Sequence, residues 1–60
     1  MKPSYNLQQI GQIAKDNDVD TMYVMLDVVE MEKDSYEPED LVVAGAILHN
    51  RIVELTNKIQ

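Results

Sequence analysis

The chain has 60 residues, no cysteine and a formal net charge of −6. A chain this short buries only about 60% of the surface that its unfolded form exposes, so its own core gives marginal stability. The lack of cysteine excludes disulfides, thiolate metal sites and cysteine nucleophiles, which leaves self-association as the way to bury more surface.

The negative charge is concentrated in the middle of the sequence. Ten of the eleven acidic residues lie between Asp16 and Asp40, where only Lys33 opposes them, so that segment has a net charge of −9. Such a charge repels nucleic-acid phosphates and attracts basic protein surfaces. It therefore favours a basic protein partner over direct nucleic-acid binding, although acidic residues also serve simply to keep a small protein soluble.

A first helix is predicted over residues 4–16. Ser4 is a candidate N-cap, because its hydroxyl can accept a hydrogen bond from a backbone amide in the first turn. Apolar residues then recur at helical spacing, at Leu7, Ile10, Ile13 and Ala14. The polar residues 15–18 end this pattern.

A second helix is predicted over residues 20–34, with Asp18 or Asp20 as its N-cap. It has two apolar faces, one formed by Met22, Met25, Leu26 and Val29, and the other by Val24, Val28 and Met31. Methionine is typical both of core filling and of adaptable binding surfaces. Residues 34–37 are predicted to form a turn.

A third helix is predicted over residues 38–59. Proline fits the first helical turn, as at Pro38, and the carboxylates of Glu39 and Asp40 complement the positive helix end. One apolar stripe along this helix has coiled-coil-like spacing and is the predicted dimer interface. It consists of Leu41, Gly45, Leu48, Ile52, Leu55 and Ile59. The alternative for this stripe is an intramolecular seam against the first two helices.

The third helix also has a second apolar line, formed by Val42, Ala46 and Val53. Together with the two faces of the second helix, this is more apolar surface than one short chain can bury. No long apolar–polar alternation typical of strands is present. The sequence therefore predicts an all-α fold, a three-helix bundle in one domain over residues 1–60, completed by homodimerisation.

A partner-binding surface is predicted around the acidic residues of the second helix and the turn that follows it. Acidic residues attract a basic partner, and an aromatic ring among them can anchor it. The predicted residues are Asp20, Tyr23, Asp27, Glu30, Asp34, Tyr36 and Glu37. The alternative is that they form a solvated helix face.

Two weaker patterns give alternative functions. Asp16, Asp18, Asp20 and Asp27 have the spacing of ligands in an EF-hand calcium loop, but Thr21 stands where that loop has glycine. The spacing of Ile13, Ala14, Val19 and Val24 loosely resembles that of a helix-turn-helix, but Asp18 stands where the turn has glycine. The second helix is also acidic where a DNA reader needs basic or amide side chains. A simpler role for the Asp and Asn residues is N-capping and turn formation.

Apart from the incomplete EF-hand spacing, no pattern in the sequence indicates catalysis, a cofactor or a bound metal. His49 is the only histidine, and no local cluster of catalytic residue types surrounds it. We therefore expect a small cytoplasmic protein that regulates or inhibits a target by covering its basic surface. In the stronger form of this hypothesis, the acidic face imitates nucleic-acid phosphates. The alternatives are a calcium-responsive helical hairpin, a DNA-binding regulator and a structural subunit of a larger assembly.

Overall fold

The computed structural model describes residues 2–57. It contains three α-helices, Leu7–Asp16 (α1), Val19–Met31 (α2) and Pro38–Asn57 (α3), and a short 3-10 helix, Lys33–Ser35, between α2 and α3. This part of the chain contains no strand, which confirms the all-helical prediction with three α-helices. None of the helices between residues 2 and 57 is long and apolar enough to cross a lipid bilayer.

The first helix begins later than predicted, because Asn6 rather than Ser4 is its N-cap. The side chain of Asn6 accepts a hydrogen bond of 2.8 Å from the backbone amide of Gln9, and the Gln9 side chain accepts one of 2.9 Å from the Asn6 amide. This reciprocal pair forms a capping box and satisfies two amide donors at once. Ser4 instead binds Glu32, which follows α2.

The second helix begins at its predicted cap and ends three residues earlier than predicted. Asp18 is the N-cap, and it was one of the two predicted caps. At the other end, the amide of Glu32 donates to the carbonyls of both Val28 and Val29, and the backbone tightens into the 3-10 helix. The third helix begins at Pro38, as predicted. Its predicted end at residue 59 lies outside the described residues.

The core lies where α3 packs against both of the other helices. Tyr36, just before α3, contacts Tyr5, just before α1, and Arg51 in α3 contacts the end of α1 at Ala14. Helices α1 and α3 therefore run in the same direction, and α2 runs in the opposite direction. The buried core residues are Ile10, Ala14, Met22, Met25, Val29, Ala44 and Leu48.

Candidate functional site

The stripe of α3 that was predicted as a dimer interface faces the interior of the single chain. The Leu48 side chain is 0% exposed. Leu41, Ile52 and Leu55 are partly buried and pack against the core, and Gly45 is half-buried. Ile59 lies outside the described residues. The described part of this stripe therefore forms the intramolecular seam that joins α3 to α1 and α2.

The second apolar line of α3 points to solvent. Val42 is 72% exposed, and Ala46 and Val53 are also exposed. His49 lies among them on the same side of the helix and is exposed too. We call this set the α3 outer face, defined by Val42, Ala46, His49 and Val53. A second protein can reach this face of α3.

Four of the predicted partner-binding residues lie together on the solvent side of α2. At 100° per residue, Asp20, Tyr23, Asp27 and Glu30 lie across the helix from the buried Met22 and Val29, and all four are exposed. Asp34 is exposed in the short 3-10 helix, and Glu37 is exposed directly before α3. The structure therefore groups the first four on one helix and places these two beyond its end.

Tyr36 differs from the other predicted residues because its hydroxyl is used within the chain. It is half-buried, and its Oη donates a hydrogen bond of 2.7 Å to the carbonyl of Tyr5. Burial raises the pKa of Tyr36 above its usual value, and the nearby carboxylate of Glu32 raises it further. Tyr36 thus has a structural role at this end of the bundle.

Most of the acidic groups around α2 have no cation beside them. Within residues 2–57 one ion pair is present, between Lys33 Nζ and Glu30 Oε1 at 3.8 Å, and both side chains are largely exposed. An exposed ion pair at this distance contributes little to stability, so a basic group of a partner can take the place of Lys33. The carboxylates of Asp20, Asp27 and Asp34 are therefore available to a basic partner.

Exposed apolar side chains lie beside these acids, and of these Tyr23 was among the predicted partner-binding residues, whereas Val24, Val28 and Met31 were not. Met31 is 84% exposed, Val24 is 59% exposed and Tyr23 is 54% exposed, while Val28 is half-buried. The signal was present in the sequence as the second apolar face of α2. We call the combined surface the α2 outer face, formed by Asp20, Tyr23, Val24, Asp27, Val28, Glu30 and Met31.

The aspartates with EF-hand spacing do not form a loop. Asp18 caps α2, accepting hydrogen bonds to Oδ1 from the backbone amide of Thr21 (3.0 Å) and from its hydroxyl (2.9 Å). Both hydrogen bonds lower the pKa of Asp18, and the bond from the backbone amide has the larger effect. Residues from Val19 onward are helical, so Asp27 lies two turns along α2. Across the described chain, no three acidic or histidine side chains are placed to share a metal ion.

Two open clefts flank α1. The larger, of about 420 Å³, lies between the start of α1 and the start of α3. Its polar lining includes Asn6 and Gln9, which bind each other, and Tyr36, which binds Tyr5. The smaller, of about 280 Å³, lies beside Gly11 and Arg51, whose guanidinium donates to the last carbonyls of α1.

No protein-family model, curated protein or solved structure matches this chain. The α2 outer face is therefore identified from the chemistry of its own residues.

Proposed function

We propose that this chain is a small acidic regulatory or inhibitory module that covers a basic surface of a target protein. The observation that carries the proposal is the α2 outer face, where exposed apolar side chains lie among carboxylates that are mostly unpaired. The face is built on one continuous helix, so the backbone holds the attachment points of its side chains in fixed relative positions. A rigid surface loses less conformational entropy on binding.

The two kinds of side chain have separate roles in binding. The carboxylates of Asp20, Asp27 and Glu30 attract basic groups, increase the rate of encounter and reject acidic proteins. Tyr23 and Met31 add apolar area that leaves water on binding, which contributes most of the affinity. Acidic residues whose only role is solubility do not require large apolar side chains beside them.

The target in the stronger form of this proposal is a nucleic-acid-binding protein. Such proteins have basic surfaces that neutralise phosphates. The segment from Asp16 to Asp40, with its net charge of −9, presents the same sign of charge as a phosphate backbone. Binding there excludes nucleic acid from the target by occupying its basic surface.

We also propose that the chain forms a homodimer through the α3 outer face. The inner stripe of α3 is occupied within the chain, whereas Val42, Ala46 and Val53 remain exposed. Apart from His49, the four residues that define the α3 outer face have no ionisable side chain, so a contact between two copies there is mainly apolar. Sedimentation equilibrium measures this association. A Val42→Asp variant should be monomeric, and a wild-type monomer at micromolar concentration overturns the dimer.

The binding function is tested by capture of the target from the native host with the full chain as bait. The variant Asp27→Asn, Glu30→Gln, Asp34→Asn neutralises the acids around the end of α2. The matched control, Asp16→Asn, Glu39→Gln, Glu54→Gln, changes the net charge equally at exposed positions elsewhere. We expect the first variant to lose the captured protein and the control to retain it, with equal helicity by circular dichroism. Equal loss in both variants contradicts a role for this particular surface.

A further inference from the structure

We propose that the segment of the target that binds the α2 outer face is a basic amphipathic helix. This inference rests on the proposed function and specifies the partner of the same surface. It follows from how the apolar and acidic residues are arranged relative to each other along α2.

The apolar residues of the α2 outer face form a line along the helix. Val24, Val28 and Met31 are four and three residues apart, so they share one side of α2 over about 10 Å. A line of this kind matches the apolar residues that a partner helix presents at positions i, i+3 or i+4, and i+7. The Met31 side chain, 84% exposed, is unbranched and can adapt its shape to a partner.

The acidic residues form a second line directly beside the first. Asp20 and Asp27 are seven residues apart, and helical geometry places both within about 60° of the apolar line. Glu30 and Tyr23 lie further round on the same acidic side. A partner helix whose apolar stripe covers Val24 and Met31 therefore needs lysine or arginine along one border of that stripe. This is the pattern of a basic amphipathic helix.

The charge also excludes the other occupants of an exposed apolar helix face. A second copy bound here would bring acidic lines together at the 8–10 Å that separates packed helices, which is about one Debye length at physiological salt. Nucleic acids and anionic membranes are repelled for the same reason. An added β-strand needs unpaired backbone groups, and the backbone of α2 is already paired within the helix. A basic amphipathic helix is the partner that complements both the apolar line and the acidic line of α2.

The test uses three synthetic peptides of about 18 residues, made from lysine, leucine and glutamine, and the full-length chain labelled with ¹⁵N. The first peptide has its leucines at helical spacing with lysines along one border. The second has the same composition with strict alternation, so that it forms no apolar helix stripe. The third replaces lysine with glutamate. We expect the first to bind about tenfold or more tightly than the second, to become helical, and to shift the amide resonances of the α2 outer face. The third should not bind.

Variants of the chain test which side chains are responsible. Replacing Val24 and Met31 with serine should weaken binding of the first peptide about tenfold, because exposed apolar area is lost without a change in charge. The matched control replaces Val42 and Val53 of the α3 outer face with serine and should bind as the wild type does. Replacing Asp20 and Asp27 with asparagine should weaken binding and reduce its dependence on salt.

Two outcomes overturn the inference. Equal binding of the first and second peptides means that charge alone is recognised. Absence of binding by every peptide, together with retained acid-dependent capture of the target, means that the target presents something other than a helix. In both cases the proposed function remains, because its own experiment fails only when capture does not depend on the acids around α2.

Discussion

The hydroxyl of Tyr36 donates a hydrogen bond of 2.7 Å to the backbone carbonyl of Tyr5, 31 residues earlier in the sequence. Close by, Ser4 donates from its backbone amide, at 3.0 Å, and from its hydroxyl to the carboxylate of Glu32. These bonds fasten the segment before α1 to the connection between α2 and α3. They close the end of the bundle at which α1 and α3 begin.

Replacing Tyr36 with phenylalanine should destabilise the fold by about 1 kcal/mol, since the buried side of the ring is kept and one hydrogen bond is lost. For a domain of this size, that loss lowers the melting temperature by roughly 4–8 °C. Thermal unfolding at pH 7, followed by circular dichroism, measures it. The control Tyr23→Phe removes an exposed hydroxyl and should leave the melting temperature nearly unchanged. Equal effects in the two variants would contradict the role of the Tyr5 contact.

The same residue gives a prediction for alkaline pH. Burial and Glu32 raise the pKa of Tyr36 above the usual 10.0, so the folded state holds this proton more tightly than the unfolded state. Its contribution to stability is therefore complete below about pH 10 and is lost as the pH rises through the higher folded-state pKa. Denaturant unfolding between pH 9 and 12 should show a steeper loss of stability for the wild type than for Tyr36→Phe. Parallel curves would rule out this linkage.

Arg51 holds the end of α1 from across the bundle. Its Nε donates a hydrogen bond of 2.7 Å to the carbonyl of Ala14, and its Nη2 donates one of 3.3 Å to that of Lys15. The last carbonyls of a helix have no partner within the helix, and a positive charge complements that end of the helix dipole. Arg51→Ala should therefore increase hydrogen exchange in the last turn of α1 more than elsewhere. Arg51→Lys, which keeps the charge but not the two-pronged geometry, should give an intermediate increase.

The helices could be predicted from the sequence because their signals are local. Pro38 with two following acids fixed the start of α3, and Asp18 was among the predicted caps of α2. The cap of α1 was predicted wrongly, because Ser4 and Asn6 both suit the position. The Gln9 side chain favours Asn6 as the cap, because it accepts a hydrogen bond from the Asn6 backbone amide.

Features that depend on distant parts of the chain could not be predicted in this way. Helical spacing identifies the stripe around Leu48, but it does not say whether the opposing surface belongs to the same chain or to a second copy. The contacts of Tyr36 and Arg51 join residues more than 30 positions apart, so no local pattern indicates them. For the same reason, the sequence places Val24 and Met31 on a second apolar face of α2 but does not indicate that this face is exposed.

Asp18 gives a prediction for acidic pH. The hydrogen bonds from Thr21 lower its pKa below the usual 3.8, so its contribution to stability is present above about pH 3.8 and is lost as the pH falls through the lower folded-state value. Asn is as good an N-cap as Asp but does not titrate. Asp18→Asn should therefore keep α2 capped at pH 7 and lose less stability between pH 4 and 2. The control Asp34→Asn removes an equal charge from the 3-10 helix and should follow the wild-type acid curve in urea unfolding.

The two apolar lines of α3 should respond differently to shortening of a side chain. Leu48 is fully buried in the single chain, so Leu48→Ala should cost about 2–5 kcal/mol, a large part of the roughly 3–9 kcal/mol expected for 60 residues. Val42 is 72% exposed, and Val42→Ala should change the stability of the single chain by about 0.5 kcal/mol or less.

Protein concentration distinguishes an intramolecular from an intermolecular role for each line. Urea unfolding at 2 and 200 μM should show the same loss for Leu48→Ala, because the Leu48 contacts lie within one chain. If the α3 outer face forms the dimer, the loss for Val42→Ala should be larger at the higher concentration, because stability gained by association depends on concentration. A concentration-dependent loss for Leu48→Ala would instead mean that the inner stripe joins two chains.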